Sequence, residues 1–384
     1  MSALALDDEQ RNYVRRVREV AVDLIPFVAK GTEGRVNRPL LGAMGDHGLL
    51  RDLFGGTSDE PVRDAAAMRL CLLRETIATV SAEAETALAL QGLGSYPILQ
   101  AGSPETVERW IPGVVAGATV AAFALTEAEA GSDAAALSLR AERDGDGWRL
   151  SGEKLWTSNA PEADVYSVFA RTIEGAGSRG VTAFAIAGDA EGLSGEHLEL
   201  LSPHPIGRLV FDGVRVEAAD VLGEVDAGFR VAMRTLDLFR PSVGAFAVGM
   251  AQSAIDATLD NVATRHVFGG PLAEQQSVAH TMANLATQLE AARLLVYAAA
   301  TAYDSGADRA AITRSAAMAK LFATEAAQTI VDQCVQLHGA RALERGHLLE
   351  HLYRDVRAPR IYEGASEVQR SIIARVLFNE RITP

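Results

Sequence analysis

The amino-acid sequence predicts a mainly helical α+β fold with an N-terminal helical domain, a middle β-barrel or sandwich and a C-terminal four-helix bundle. In the first and last thirds of the 384 residues, apolar side chains recur at three- and four-residue steps, as in amphipathic helices. In the middle third the apolar runs are short and separated by turn residues, as in strands. Only 6% of residues are aromatic although 48% are hydrophobic, which favours helical cores. We place the domains at residues 1–119, 120–226 and 227–384.

The N-terminal domain is predicted to contain several helices with recognisable start signals. Asp7 is the expected N-cap of the first helix, because a carboxylate there accepts a hydrogen bond from a free backbone N–H group. Ser103 is the expected N-cap of a later helix that starts at Pro104, since proline is favoured in the first helical turn. Glycines and polar residues at 55–64 predict a loop between these helices.

The middle domain is predicted to consist of short strands joined by tight turns. The run DGDG at 144–147 separates two apolar stretches and predicts a β-hairpin. Further strands are predicted at residues 164–172, 181–186 and 208–211. Short strands with frequent turns indicate a small antiparallel barrel or sandwich. A dinucleotide-binding βαβ fold is not predicted, because no G-x-G-x-x-G turn follows a strand.

The C-terminal domain is predicted to contain long amphipathic helices at residues 245–262, 276–303 and 308–337. Pro241 is expected to open the first of them, because proline is costly in a helix interior. Three or four helices of such length pack together as a bundle.

Charge and cysteine content exclude several classes of function. The formal net charge of −14 argues against nucleic-acid binding, which needs clustered basic residues. Cys71 and Cys334 lie in apolar helical runs and are expected to be buried, reduced thiols. The first ten residues lack the basic and apolar regions of a signal peptide, and the most apolar run, at 113–125, is shorter than the ~20 residues of a membrane span. We therefore expect a cytoplasmic protein without a membrane span.

Two motifs of the middle domain have residue types suited to a planar, polar ligand. The run TEAEAGSD at 126–133 combines small residues with hydroxyls, which can offer backbone N–H groups and a hydroxyl to a ligand. Trp156 stands beside Thr157 and Ser158, so a ring able to stack lies next to hydroxyls able to form hydrogen bonds. Taken singly, an ordinary turn and a core tryptophan are the simpler interpretations.

Charged residues of the C-terminal domain lie near predicted helix ends. Asp237 and Arg240 are one helical turn apart and either face a ligand or form a local ion pair on a surface turn. Arg265 follows a predicted helix and either binds a phosphate or is solvated.

The turn before the last helix contains Glu363 and Gly364, and a glycine lets the backbone approach a ligand closely. A carboxylate in a partly apolar setting has a raised pKa, which suits a general base for a weak carbon acid. A surface glutamate is the alternative. Ser366 is the expected N-cap of the last helix.

The run HLLEH at 347–351 matches an H-x-x-E-H pattern that can bind zinc, because histidines four residues apart share a helix face. A third ligand is not evident from the sequence. An exposed helix face is therefore expected here, and no metal is predicted.

The order and spacing of these motifs resemble those of the acyl-CoA dehydrogenase family. The resemblance rests on TEAEAGSD at 126–133, VFGGPLAEQQ at 267–276 and IYEGASEVQR at 361–370, and it covers nearly the whole chain. It implies FAD as the cofactor and an acyl thioester as the substrate. The cofactor-binding residues that it implies are Phe123, Leu125, Thr126, Gly131, Ser132, Trp156, Thr157, Ser158, Arg265, Phe268, Gln276, Gln336, Gly339, Ala365 and Glu367.

The resemblance also implies roles for some of these residues. Trp156 would stack near the isoalloxazine, and Ser158 would form a hydrogen bond near flavin N5. The set that would reach FAD across a subunit interface is Arg265, Phe268, Gln276, Gln336 and Gly339. The implied substrate-binding residues are Ser132, Asp237, Arg240, Tyr362 and Gly364.

Glu363 matches the catalytic base of the family. Some members carry the acid immediately before the arginine matched by Arg240, but that position is Phe239 in this chain and cannot accept a proton. The resemblance implies that Glu363 takes the α-proton while the β-hydrogen leaves as hydride to the flavin. The implied product is a trans-2-enoyl thioester.

The partners implied by the resemblance are electron-transfer flavoprotein, acyl-CoA or an acyl group on a carrier protein, and further copies of this chain in a homotetramer (a dimer of dimers) or a homodimer. An acyl-CoA oxidase and an acyl-carrier-protein dehydrogenase stay open as related activities. A catalytically idle flavin-fold protein that binds a partner is a third alternative. The motifs do not specify the length or branching of the acyl group.

Overall fold

The structure is a computed structural model that describes residues 6–54, 65–202 and 204–382. The loop predicted at 55–64 lies outside the described residues. The chain divides into two compact units. The helical unit comprises Met1–Val22, Ala66–Glu85 and Asp237–Pro384, and the sheet unit comprises Asp23–Ala65 and Thr86–Leu236. The three-domain division at 1–119, 120–226 and 227–384 stays a prediction.

The N-terminal part of the chain is helical, as predicted. Its helices are α1 (Asp8–Asp23), α2 (Ile25–Val28), α3 (Arg38–Asp46), α4 (Leu49–Asp52), α5 (Ala67–Ala78), α6 (Ala82–Ala101) and α7 (Pro104–Val115). Asp7 and Gln10 cap α1 reciprocally: Asp7 Oδ1 accepts from the Gln10 N–H at 2.8 Å, and Gln10 Oε1 accepts from the Asp7 N–H at 3.1 Å. Ser103 Oγ accepts from the Thr106 N–H at 3.2 Å, which confirms the predicted start of α7.

The middle of the chain forms one described sheet of eight strands. The strands are β1 (Ala121–Ala124), β2 (Arg140–Asp144), β3 (Gly147–Ser158), β4 (Val165–Arg171), β5 (Val181–Ala187), β6 (Leu193–His197), β7 (Ile206–Val216) and β8 (Val221–Leu222). Their order is β6-β7-β3-β2-β4-β5-β8, and β1 pairs with β4. The β1–β4 and β2–β4 pairings are parallel, so the sheet is mixed and not purely antiparallel as predicted.

The predicted strands are present, with boundaries shifted by a few residues. The DGDG hairpin is confirmed: Asp144 lies opposite Gly147 in the β2–β3 ladder, and Gly145 has a φ of +65°. β4 and β5 are buried along nearly their whole length, which explains their continuous apolar runs. The sequence LSGEH of β6 gave no strand signal because its residues are mostly exposed and polar.

The C-terminal part returns to helices, with a short hairpin after the first of them. The elements are α8 (Gly228–Thr264), β9 (His266–Val267), β10 (Gly270–Pro271), α9 (Gln276–Asp304), α10 (Arg309–His338), α11 (Leu348–Asp355) and α12 (Ser366–Ile382). In the helical unit, α10 packs against α9, α11 and α12, and α5 packs against α9. No helix in the described ranges is both long and apolar enough to cross a membrane.

Pro241 does not open α8 but lies inside it, so the predicted start was wrong. An interior proline removes one helical hydrogen bond and costs ~3 kcal/mol. Residues 238–251 are all buried, and packing of this long segment outweighs the local cost. Nearby, Ser242 Oγ donates to the Phe239 carbonyl at 2.7 Å.

Helices α8 and α5 approach closely at Gly249, where a Cβ would lie 2.5 Å from the Glu75 carbonyl oxygen and 2.6 Å from Ala78 Cβ. We expect Gly249→Ala to lower the free energy of unfolding by about 1–3 kcal/mol, because backbone and a neighbouring side chain must move apart. Urea unfolding measures this change. Gly42→Ala in α3 is the control: no atom lies within 4 Å of the added Cβ, so its stability should not fall. Equal losses in both variants would contradict the role of the close approach.

Candidate active site

Glu363 lies on a turn that is held by side chains of three helices. Its φ is +51° and that of Gly364 is +94°, so two consecutive residues are left-handed. Gln369 Nε2 of α12 donates to the Glu363 carbonyl at 3.2 Å and to the Gly364 carbonyl at 2.8 Å. Lys320 Nζ of α10 donates to the Gly364 carbonyl at 2.8 Å, and Arg240 Nε of α8 donates to the Glu363 carbonyl at 3.4 Å. These contacts compensate an unfavourable backbone conformation.

A side chain at Gly364 would displace the Gln369 amide from the turn. A Cβ at this position would lie 2.5 Å from Gln369 Nε2, and its left-handed backbone would be strained in any other residue. The glycine after Glu363 therefore permits the close contact that fixes the turn.

Glu363 is half-buried as a residue, but one oxygen of its carboxylate is buried and unpaired. Its Oε2 atom has no hydrogen-bond partner among the described residues. Burial raises the pKa of Glu363, while the positive charges of Arg74, Lys320 and Arg240 oppose the rise. A carboxylate with a buried, unpartnered oxygen near positive charge can hold a proton taken from a ligand.

Sequence analysis missed four buried residues around this turn: Arg74, Glu85, Lys320 and Gln369. Arg74 Nε binds the Glu85 carboxylate, and Arg74 Nη1 donates to Ser242 Oγ at 2.7 Å. The available signal was a charged residue within an apolar helical run, as in CLLRETI around Arg74. A charge placed there must be paired when the helix is buried.

Asp237 and Arg240 form an ion pair within α8, with Nη1 and Oδ1 3.2 Å apart. Their side chains are only 14% and 9% exposed, so the alternative of a surface turn is wrong. Burial raises the pKa of Asp237 and lowers that of Arg240. Of the residues with an implied substrate contact, the structure thus brings Asp237, Arg240 and Gly364 close to Glu363. Burial also raises the pKa of Tyr362, the neighbour of Glu363.

The residues implied to reach FAD across a subunit interface lie at the other end of the long helices. Arg265 Nη1 donates to the His338 carbonyl at 3.1 Å, which brings it next to Gly339. Phe268 lies between β9 and β10 with a φ of +52° and is 97% exposed. Gln276, Gln336 and Glu367 are also exposed, and Ala365 is half-buried just before α12.

In the sheet unit, a buried ion pair joins the TEAEAGSD run to β3. Lys154 Nζ donates to Glu127 Oε1 at 2.7 Å and to the Leu125 carbonyl at 2.9 Å. The Glu127 carboxylate also accepts from the backbone N–H groups of Ser138 and Leu139, at 2.6 and 2.9 Å. The pair therefore fixes the loop against the strand that carries Trp156.

The end of β3 presents a ring and a hydroxyl that suit a planar cofactor. Trp156 is 48% exposed with a φ of +53°, and its neighbour Thr157 is buried. Thr157 Oγ1 has no hydrogen-bond partner within the described ranges. The Leu155 N–H donates to the Thr126 carbonyl at 2.9 Å, so the two motifs of the middle domain are adjacent. A stacking ring beside an unpartnered hydroxyl fits the edge of a flavin.

Other residues of the sheet unit also have an implied cofactor contact. A Cβ on Gly131 would lie 4.0 Å from Thr126 Cγ2, and Ser132 beside it is exposed. The Phe123 ring packs on Phe169 at a centroid distance of 4.9 Å. Ser158 is half-buried and pairs with Ile206 of β7.

The polar side chains of the HLLEH run form hydrogen bonds and ion pairs with other residues of the chain. His347 Nδ1 accepts from the Leu349 N–H at 3.1 Å, and Glu350 pairs with Arg354. His351 Nε2 lies 3.2 Å from Glu83 and 3.0 Å from Asp355, and these carboxylates raise its pKa to about 10. Of the residues described, no group of three or more His, Cys, Asp or Glu is arranged to hold a metal ion.

The structure also tests the expectations for the two cysteines and for Ser366. Cys71 and Cys334 are free and buried, as predicted, and burial raises the pKa of both thiols. Ser366 does not cap α12, because its hydroxyl donates to Glu325 Oε1 at 2.6 Å and it forms the first residue of the helix. The nearby carboxylate competes with the helix end for this hydroxyl.

Models of the three domains of acyl-CoA dehydrogenases match the chain: the N-terminal domain at residues 7–118, the middle domain at 122–214 and the C-terminal domain at 226–378. Cyclohexane-1-carbonyl-CoA dehydrogenase of Geobacter metallireducens is 35% identical over 382 residues, 97% of this chain and 98% of the relative. Subunit CarC of the caffeyl-CoA reductase–Etf complex of Acetobacterium woodii is 36% identical over 317 residues, 82% and 83% of the two chains.

Solved structures agree with these matches. Butyryl-CoA dehydrogenase from Megasphaera elsdenii superposes with a TM-score of 0.89 at 30% identity and covers 97% of this chain and 99% of its own. The complex of PigA with FAD and proline superposes with a TM-score of 0.90 at 25% identity, over 99% and 100% of the chains.

The fold and the matches in all three domains define an oxidoreductase with a flavin cofactor. The chain belongs to the acyl-CoA dehydrogenase family. The predicted fold class, enzyme class and cofactor, FAD, are thereby confirmed.

The Lys154–Glu127 pair gives a test of how the TEAEAGSD run is held. We expect Glu127→Gln to lower the free energy of unfolding by about 3 kcal/mol, because it leaves the buried Lys154 ammonium without its counter-charge. Urea unfolding measures the loss. Glu153→Gln is the control, since the adjacent Glu153 is exposed and its pair with Arg208 is screened by water, so the loss should be much smaller. Equal losses in the two variants would contradict the special role of the buried pair.

Proposed function

We propose that this enzyme oxidises an acyl-CoA thioester to the trans-2-enoyl-CoA with Glu363 as the base. The observation that supports this proposal most is the buried Oε2 atom of Glu363, which has no partner among the described residues. A carboxylate of this kind is costly to maintain unless it serves a ligand. It stands on a turn fixed by Arg240, Lys320 and Gln369, so its position does not depend on the substrate.

The surroundings of Glu363 suit removal of a proton from a weak carbon acid. The base must be ionised before it reacts and must then hold the proton. Burial raises the pKa of Glu363 and so favours the form that holds the proton, while the positive charges of Arg74, Lys320 and Arg240 oppose the rise and favour the ionised form. In the proposed reaction Glu363 Oε2 receives the α-proton.

The backbone of the same turn offers a group for the thioester carbonyl. The Glu363 N–H donates to no acceptor that the structure describes. Following the family resemblance, we assign this N–H to the thioester oxygen, where it stabilises the negative charge that develops when the α-proton leaves. One residue then supplies both the base and an oxyanion donor.

Bound FAD supplies the acceptor for the hydride that leaves the β-carbon. Trp156 and Thr157 would hold the flavin, the first by stacking and the second through its unpartnered hydroxyl. Arg265, Phe268, Gln276, Gln336 and Gly339 would bind FAD in a neighbouring copy of the chain, in line with a proposed homotetramer.

The names of relatives support two further parts of the proposal. One relative is named for cyclohexane-1-carbonyl-CoA and one solved structure for butyryl-CoA, so CoA is the proposed carrier of the acyl group. The CarC relative belongs to a complex with Etf, so electron-transfer flavoprotein is the proposed electron acceptor.

Replacement of the base is the central test. We expect Glu363→Gln to purify with FAD but to slow flavin reduction by about 10³-fold, because the amide cannot take the α-proton. Anaerobic stopped-flow bleaching with straight, branched and cyclic acyl-CoAs, including butyryl-CoA and cyclohexane-1-carbonyl-CoA, measures the rate.

Glu344→Gln is the control for this experiment, because Glu344 is exposed and outside the site. Its rate should equal that of the wild type. Wild-type reduction by Glu363→Gln would show that another group is the base. Absence of bleaching with every thioester in the wild type would instead favour a catalytically idle protein.

The electron acceptor is tested on the reduced wild-type enzyme. We expect electron-transfer flavoprotein to reoxidise it faster than air-saturated buffer does, and double-mixing stopped-flow absorbance compares the two rates. Anaerobic buffer without acceptor is the control and should leave the flavin reduced. Rapid reoxidation in air with formation of hydrogen peroxide would identify an acyl-CoA oxidase instead.

A further inference from the structure

We propose that Arg74 and Glu85 are positioning residues for the base: Glu85 holds the Arg74 guanidinium within electrostatic range of Glu363 and limits its attraction for the Glu363 carboxylate. This inference rests on the proposed function, since it assumes that Glu363 is the base. Neither residue belongs to the motifs on which the family resemblance depends.

Within the helical unit, Arg74 of α5 is held by residues of two other helices. Arg74 stands on α5 and Glu85 on α6, and their side chains are 3% and 0% exposed. Arg74 Nε binds Glu85 Oε1, and Arg74 Nη1 donates to Ser242 Oγ of α8 at 2.7 Å. The Ser242 hydroxyl in turn donates to the carbonyl of Phe239, the residue before Arg240. A guanidinium bound on two sides cannot turn freely towards a third group.

Two carboxylates share this one guanidinium. Glu85 Oε2 and Glu363 Oε2 are both buried and both lack a hydrogen-bond partner within the described part of the chain. Arg74 lowers the pKa of each carboxylate, and the negative charge of Glu363 in turn raises that of Glu85. Burial brings the pKa of Glu85 to about 7. Glu85 and Glu363 therefore compete for the same positive charge.

Other charged groups face the same carboxylates and stay in place when Glu85 is changed. Those acting on Glu363 are Arg240 of α8 and Lys320 of α10, and Arg240 is paired with Asp237. Tyr362 of the same turn and Asp355 of α11 act on Glu85 or respond to it. These five groups are present in every variant, so a shift that differs between the variants comes from the change at Glu85 or Arg74.

The pH at which Glu363 ionises should shift in opposite directions in two variants. Glu85→Gln removes the competing negative charge, so Arg74 acts on Glu363 alone and Glu363 should ionise at a lower pH. The double variant Arg74→Met/Glu85→Gln also removes the guanidinium, so Glu363 loses a stabilising positive charge and should ionise at a higher pH. An opposite charge within a few ångströms shifts a carboxylate by roughly 1–3 pH units.

The experiment measures the rate of anaerobic flavin reduction against pH, with butyryl-CoA and cyclohexane-1-carbonyl-CoA as the probes. We expect the acidic limb of the profile to move down by about one pH unit in Glu85→Gln and up by about one unit in the double variant. Arg74→Lys keeps the positive charge and should leave the limb between these two positions. FAD content and thermal midpoint report whether each variant is folded.

Glu75→Gln is the matched control. Glu75 is the neighbour of Arg74 on α5 and is also buried, but it pairs with Arg293 at 2.8 Å and Tyr297 at 2.9 Å. Its replacement should change stability without moving the acidic limb.

The outcomes separate this inference from the function on which it rests. Opposite shifts in the two Glu85 variants support it. Shifts in the same direction, or unchanged limbs in FAD-loaded Glu85→Gln and the double variant, overturn it and leave Glu363 as the base. Wild-type reduction by Glu363→Gln would overturn the proposed base and this inference together.

Discussion

The site depends on one constraint: a carboxylate must stay buried and unpaired while its backbone holds a left-handed turn. Both conditions are unfavourable by themselves. Lys320, Gln369 and Arg240 satisfy the carbonyl groups of the turn from three helices, and the positive charges of Lys320 and Arg240 also offset part of the burial of Glu363. Lys320 and Arg240 therefore serve both the conformation of the turn and the chemistry of its acid.

Most helices and strands could be predicted from the sequence because the residues that begin or end them act over only a few positions. Asp7 and Ser103 start helices through hydrogen bonds to residues three positions away, and DGDG closes a hairpin within four residues. Pro241 was misread because its cost is local, whereas the packing that outweighs it comes from residues distant in sequence. The parallel pairings of β1 and β2 with β4 likewise produce no local sequence pattern that would predict them.

The candidate active site could be predicted from the sequence only in part, for the same reason. Trp156 and Glu363 stand in motifs with a recognisable order, but Arg74, Glu85 and Lys320 lie in helices whose sequences resemble ordinary amphipathic segments. These three residues are buried, and each contacts another element of the fold. Lys320 binds the Gly364 carbonyl, 44 positions away, and Arg74 pairs with Glu85 across two helices. A buried charge in an apolar run is a signal of such a contact but does not name the partner.

The segments that make up the helical unit come from both ends of the chain. Arg74 is synthesised well before the turn with Glu363. Glu85 follows Arg74 by only 11 residues, so the ion pair is local in sequence although it is buried in the fold. Contacts that are local in sequence cost less chain entropy than distant ones, so the order of synthesis and the order of entropic cost both favour the Arg74–Glu85 pair over the contacts of the Glu363 turn.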